Sequence, residues 1–147
     1  MNKRDYVYKL SKLIEKYDNL TEKEREKKEA NVRKDFIDPF FEILGWDIRD
    51  STNSYEAETN VGKSGIVDVS IKIDGLVKVY QEAKKWSENL HGKQIRGKTK
   101  ISEPIEKQLL QYCFEQRIDW GILTNFIEIR VFYIPEDLEV LNLNINE

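Results

Sequence analysis

The chain has 147 residues, 39% of them apolar, and a formal net charge of −3. That length suits one domain with one buried core, and no run approaches the ~18 consecutive apolar residues of a membrane span. The acidic balance excludes a protein that coats nucleic acid through bulk positive charge. The start MNKRDYVYKL is charged and helical in pattern rather than a secretory signal, so a cytoplasmic protein is expected. A lone cysteine, Cys113, leaves no internal disulfide and no cysteine-built metal site, and its apolar surroundings suit a small buried thiol.

Val7, Leu10, Leu13, Ile14 and Tyr17 recur at helical spacing, which predicts an amphipathic helix over residues 3–17. Thr21 followed by Glu24 is a capping-box pair that should open a second helix. Its charged start gives way to Val32, Phe36, Ile37, Phe40 and Phe41 before Gly45 ends it, and Pro39 should kink or split it. Residues 55–61 read as a first strand with Glu56 and Glu58 on one face, and residues 62–65 as a turn.

Residues 66–73 and 76–83 flank Asp74-Gly75, a hairpin signal. The odd positions Val67, Val69, Ile71, Ile73, Val77, Val79 and Ala83 are apolar, Gln81 excepted, while the even positions hold Asp68, Ser70, Lys72, Lys78, Tyr80, Glu82 and Lys84. A plain two-residue turn would pair odd with even and throw one apolar set to the wrong side. A three-residue loop, 73–75, with Gly75 in a left-handed bulge position, pairs 72 with 76 and keeps like faces together. Asp68 then opposes Tyr80 and lies diagonal to Glu82. In that register Asp68, Glu82 and Lys84 share one solvent-facing surface, within the roughly 7–8 Å diagonal that neighbouring strands allow. Two carboxylates so close favour a cation between them, and hard oxygens suit Mg²⁺; the same three residues also fit a mutually compensating charged strand face.

From Lys84 to Lys100 the chain carries Lys84, Lys85, Lys93, Arg96, Lys98 and Lys100 against Glu88, interrupted by Gly92 and Gly97. This reads as a mobile basic loop, suited to phosphate contacts of DNA or simply to solvation, and His91 within it as a surface residue. Ser102 should cap a helix starting near Pro104, with Ile105, Leu109, Tyr112 and Cys113 on its apolar side and Gln108 and Tyr112 one turn apart. Residues 120–125 and 127–134 complete the layout as two strands, and Pro135 ends the regular structure. The expected organisation is one domain over 1–147: an N-terminal helix within 1–20, a core over 21–134, and a tail or linker over 135–147. Such a chain is either an excised domain or a small stand-alone protein.

The order Asp68 strand, Glu82-Ala83-Lys84 strand, helix with Gln108-x-x-x-Tyr112, then strand resembles the PD-(D/E)XK nuclease superfamily. More closely, DFIDPFFEILGWD, VDVSI, QEAKK, QLLQYC and GILTNF are similar to the N-terminal nuclease domains of type I restriction motor subunits and of fused restriction–modification enzymes. The likeness covers roughly residues 29–134, and Val67 stands where the superfamily name places proline.

The resemblance implies an α/β (α+β) restriction-endonuclease-like core, a mixed sheet of about five strands flanked by helices, with further helices at the N-terminus. It implies a Mg²⁺-dependent DNA endonuclease, Mn²⁺ substituting, in which Asp68 and Glu82 bind the metal and Lys84 assists the attacking water. Gln108, as a catalytic residue, and Tyr112, in support, would line the site, and Glu58 and Glu29 stand where some members carry a further acid, Glu58 as a metal ligand. Lys85, Lys93, Arg96, Lys98 and Lys100 would contact DNA. Methyltransferase, specificity or helicase domains or subunits are the expected partners, with a dimer to cut both strands. The competing expectation is a catalytically inactive nuclease-like fold that binds nucleic acid or protein.

Overall fold

The structure is a computed structural model describing residues 2–26, 29–62, 65–96 and 101–146, the side chains of Ile95, Arg96 and Ile101 excepted. The first helix, α1 (Lys3–Asp18), has Asn2 as its cap in a reciprocal capping box with Asp5. The Thr21–Glu24 box forms as well, each side chain accepting from the other residue's backbone N–H at 3.2 Å. The helix expected after it is broken into a 3₁₀ turn (Glu24–Glu26), α2 (Glu29–Val32), a π-helical turn (Arg33–Ile37) and α3 (Asp38–Ile43). Pro39 accounts for the break: it has no N–H to give to the carbonyl of Asp35, and Lys16 Nζ from α1 donates to that carbonyl at 3.3 Å instead. One residue earlier, the N–H of Asp38 reaches five residues back to Arg33.

Six strands form one mixed sheet in the order β1-β2-β3-β6-β7-β8, built from β1 (Tyr55–Asn60), β2 (Ile66–Ile73), β3 (Leu76–Ala83), β6 (Trp120–Thr124), β7 (Glu128–Tyr133) and β8 (Leu138–Asn144). β3 and β6 are parallel, joined through α4 (Lys107–Gln116), and the other neighbours are antiparallel. The segment after Pro135, expected to be a tail or linker, thus supplies the sheet's edge strand. Part of the basic segment is strand rather than loop: among its described residues, β4 (Lys93–Arg96) pairs antiparallel with β5 (Ile101–Pro104). Ser102 lies in β5 and caps no helix; α4 begins instead after Glu106.

The β2–β3 hairpin solves its parity problem differently from expectation. Ile73 pairs with Leu76 across a two-residue turn in which Asp74 (φ 52°) and Gly75 (φ 78°) both take positive φ, as a type I′ turn demands. Lys72 then pairs with Val77 but Ile71 with Val79, so Lys78 is an extra, bulged residue that restores odd-with-odd pairing. The difference moves the site: Ser70, not Asp68, faces Tyr80, and the register continued past Val69↔Gln81 sets Asp68 across from Glu82.

Both faces of the sheet are covered. Leu13, Tyr17, Val32, Phe36, Ile37 and Phe41 of the N-terminal helices pack on Tyr55, Val69, Ile71 and Ala83, with Trp86 and Phe126 closing the cluster. On the opposite face Ile105, Leu109, Tyr112 and Cys113 pack on Val67, Tyr80, Leu123 and Phe132. The even-numbered face of β3 is therefore not solvated as expected, because the crossover between parallel strands carries α4 across it. Tyr80 is 5% exposed in consequence.

Candidate functional site

Asp68 and Glu82 come from adjacent central strands, and the Asp68 carboxylate is fixed by main chain. Asp68 Oδ2 accepts the backbone N–H of Ala83 at 2.7 Å, which locks β2 to β3 one residue beyond Glu82. Glu29 enters from the helical layer at the start of α2. One carboxylate oxygen from each of Glu29, Asp68 and Glu82 lies within 4.8 Å of the others. Lys84 continues the strand: its N–H donates to Thr124 O at 2.8 Å, and its Nζ is 3.8 Å from Glu82 Oε1 and 3.5 Å from Gln94 Oε1. The site is recessed, with the side chains of Glu82 and Lys84 only 10% and 12% exposed.

Burial pushes the Glu29 carboxyl above its ordinary range; Lys84 pulls it back, while Asp68 and Glu88 add to the rise. Burial raises Asp68 too, opposed by the Ala83 N–H, Arg33 and Lys84 and reinforced by Glu58. Lys84 lowers both carboxyls, and burial outweighs it at each. A divalent cation with a preference for hard oxygen ligands fits this donor set.

The remaining sequence candidates fall into three groups. Glu58, proposed as a metal ligand, lies outside the three-carboxylate group: it has positive φ (56°), is exposed, and reaches Asp68 only through its charge. Gln108 and Tyr112 share a face of α4, with Gln108 Nε2 donating to the Tyr112 hydroxyl at 2.6 Å, and that hydroxyl lies so close to Gly65 that a Cβ there would stand 2.5 Å from it. Of the basic residues, Lys85 and Lys93 are exposed, Arg96 lies on β4, and Lys98 and Lys100 lie outside the described residues. His91 is half-exposed and 2.6 Å from Glu128 Oε2. Cys113 is buried, its thiol pushed up to about 12 by burial, and it takes no part in the site.

Two polar residues at the site escape a reading by motif. Gln94 meets Lys84 Nζ from β4. Arg33 donates through Nη1 to the Asp68 carbonyl at 3.4 Å. Its spacing of four from Glu29 was the available signal, since a helix sets such residues on one face.

A six-stranded mixed sheet between helical layers, with acids on its central strands, is a restriction-endonuclease-like α+β fold. The family model for the Type I restriction enzyme R protein N terminus matches residues 26–139. The chain belongs to that family. It is also 31% identical over 135 residues to the Type II restriction enzyme and methyltransferase RM.Eco57I of Escherichia coli, an alignment covering 86% of this chain and 13% of that protein. No solved structure matches the chain. No helix among the described residues is long and apolar enough to cross a membrane.

Proposed function

We propose that the chain is a Mg²⁺-dependent DNA endonuclease domain of a restriction-type system that hydrolyses phosphodiester bonds. The observation that carries this reading is the meeting of Glu29, Asp68 and Glu82 within 4.8 Å, beside Lys84, in a member of a restriction-enzyme family. Asp68, Glu82 and Glu29 would hold the metal, with Mn²⁺ able to replace Mg²⁺. When bound, such an ion supplies polarisation of a phosphoryl oxygen and a more acidic water.

The chain's own groups do the rest. Lys84, held between Glu82 and Gln94, presents an ammonium that orients the attacking water and offsets negative charge developing on the phosphate. Gln108 and Tyr112, joined by their hydrogen bond, form a polar pair on α4 that assists in lining the site. Lys85, Lys93 and Arg96, with Lys98 and Lys100, would contact the phosphate backbone, which holds DNA without reading its sequence. Sequence choice then falls to partner domains or subunits with methyltransferase, specificity or helicase roles, in the cytoplasm. Cutting both strands calls for two copies of the site.

The test is nicking of supercoiled DNA by the purified chain in Mg²⁺ or Mn²⁺, alongside calorimetry with Mn²⁺. D68A and K84A should both abolish cleavage, while only D68A abolishes Mn²⁺ uptake. Cleavage that survives in either variant removes the mechanism. Wild-type chain without Mn²⁺ uptake that depends on Asp68 and Glu82 would instead be a binding module.

A further inference from the structure

The carboxylate cluster joins two layers of the molecule, so something must set the distance between them. Asp68 and Glu82 belong to the sheet, whereas Glu29 rides on the segmented helices above it. Arg33, one helical turn after Glu29, begins the π-helical turn. Its side chain is 15% exposed and reaches down to the backbone of β2, where Nη1 donates to the Asp68 carbonyl at 3.4 Å. Asp68 is thereby held at both ends, its carbonyl by Arg33 and its carboxylate by the Ala83 N–H.

Arg33 is itself braced. Its Nε lies 3.8 Å from Asp38 Oδ2, and Asp38 Oδ1 accepts the Tyr55 hydroxyl at 2.6 Å. Gln81 Nε2 donates to the same hydroxyl at 3.3 Å. Tyr55 and Gln81 are buried on β1 and β3, so the chain of contacts runs from the helical layer into the sheet's interior. The π-helical turn makes this possible: residues five apart share a hydrogen bond in it, and so Arg33 and Asp38 come to the same side.

We infer that Arg33 is a positioning residue of the carboxylate cluster: its guanidinium ties the helix bearing Glu29 to the backbone of Asp68 and so brings the third carboxylate to the strand pair. The inference rests on the metal-binding reading of that cluster. In that reading Arg33 is not one of the groups that would hold the metal, and its effect passes through Glu29 and Asp68. Its permanent charge also joins Lys84 in favouring the charged form of Asp68.

Mn²⁺ calorimetry on the whole chain tests this, with circular dichroism to verify folding. R33Q keeps an N–H donor but is shorter and loses the charge and the fork; it should bind Mn²⁺ at least about tenfold more weakly, as expected when a residue supporting a ligand is lost. R33K should recover most of that, remaining about threefold weaker because one ammonium does not span both contacts. In the double variant E29Q/R33Q the two losses should be less than additive, since Arg33 acts by delivering Glu29. A purely structural role would lower the melting temperature and leave Mn²⁺ affinity unchanged, or give additive losses, and either overturns the inference. Should R33Q fail to fold, R33K carries the test, and wild-type affinity in that variant overturns it. Wild-type chain that takes up no Mn²⁺ defeats the nuclease reading itself, a result distinct from uptake that is indifferent to Arg33.

Discussion

D68N should make the metal-free protein more stable while destroying its response to metal. Asp68 lies within 4.8 Å of carboxylate oxygens of both Glu29 and Glu82. Two unit charges at that separation repel by about 1 kcal/mol in water and about 3.5 kcal/mol at an effective dielectric near 20. Lys84 and Arg33 offset part of this, and the Ala83 N–H favours the charged carboxylate. An asparagine carbonyl oxygen accepts that same N–H, so the substitution removes charge without orphaning the donor. The balance is a gain on the order of 1 kcal/mol in EDTA, or about 2–4 °C in melting temperature for a chain of this size. Thermal melts with EDTA and with millimolar Mn²⁺ measure both halves of the claim. Wild type should gain stability from Mn²⁺ and D68N should not. A D68N protein that melts several degrees lower in EDTA, or that still responds fully to Mn²⁺, would refute the view that Asp68 is a strained ligand awaiting a cation.

Other consequences are open to measurement. Because burial raises the Glu29 and Asp68 carboxyls in the folded state, the folded chain holds protons that the unfolded chain releases. Their contribution therefore favours folding at acid pH and is lost as pH rises from the ordinary carboxylate range through the raised values; denaturant titrations should give a shallower decline in E29Q than in wild type. F36A removes a fully buried ring packed against Tyr17, Trp86 and Phe126 and should cost about 3–5 kcal/mol by chemical denaturation. G65A puts a methyl 2.5 Å from the Tyr112 hydroxyl at a backbone φ of 139°. It should lower the melting temperature and displace the Tyr112 hydroxyl from Gln108, so nicking activity should fall in G65A at least as far as in Y112F, which deletes that hydroxyl.

The parts of this molecule legible in one dimension are those decided by neighbours in the chain. Helical periodicity located α1 to within one residue of its end, and alternation marked β1, β2, β3, β6 and β7. The grouping of Asp68, Glu82 and Lys84 was likewise expected from parity, although by a different turn. Parity survives because strands have period two: either a three-residue loop or a tight turn plus a bulge returns odd residues to odd partners.

What chain order alone leaves open is decided by contacts between distant segments. The two solutions to the hairpin differ in whether Asp68 faces Tyr80 or Glu82, and the observed one places the bulge at Lys78 rather than at the turn. The segment of β8 was expected to be a tail because Pro135 should end the regular structure, although Leu141, Leu143 and Ile145 alternate with Asn142 and Asn144; its pairing with β7 depends on the rest of the sheet. The deepest case is the site. Local pattern supplies two acids and a lysine on a strand pair. The third acid and the arginine beneath Asp68 arrive from a helical layer whose path is set by Pro39, the borrowed Lys16 donor and the π-helical turn. Burial and like charge then shift the carboxyls together, an effect that exists only once the layers close.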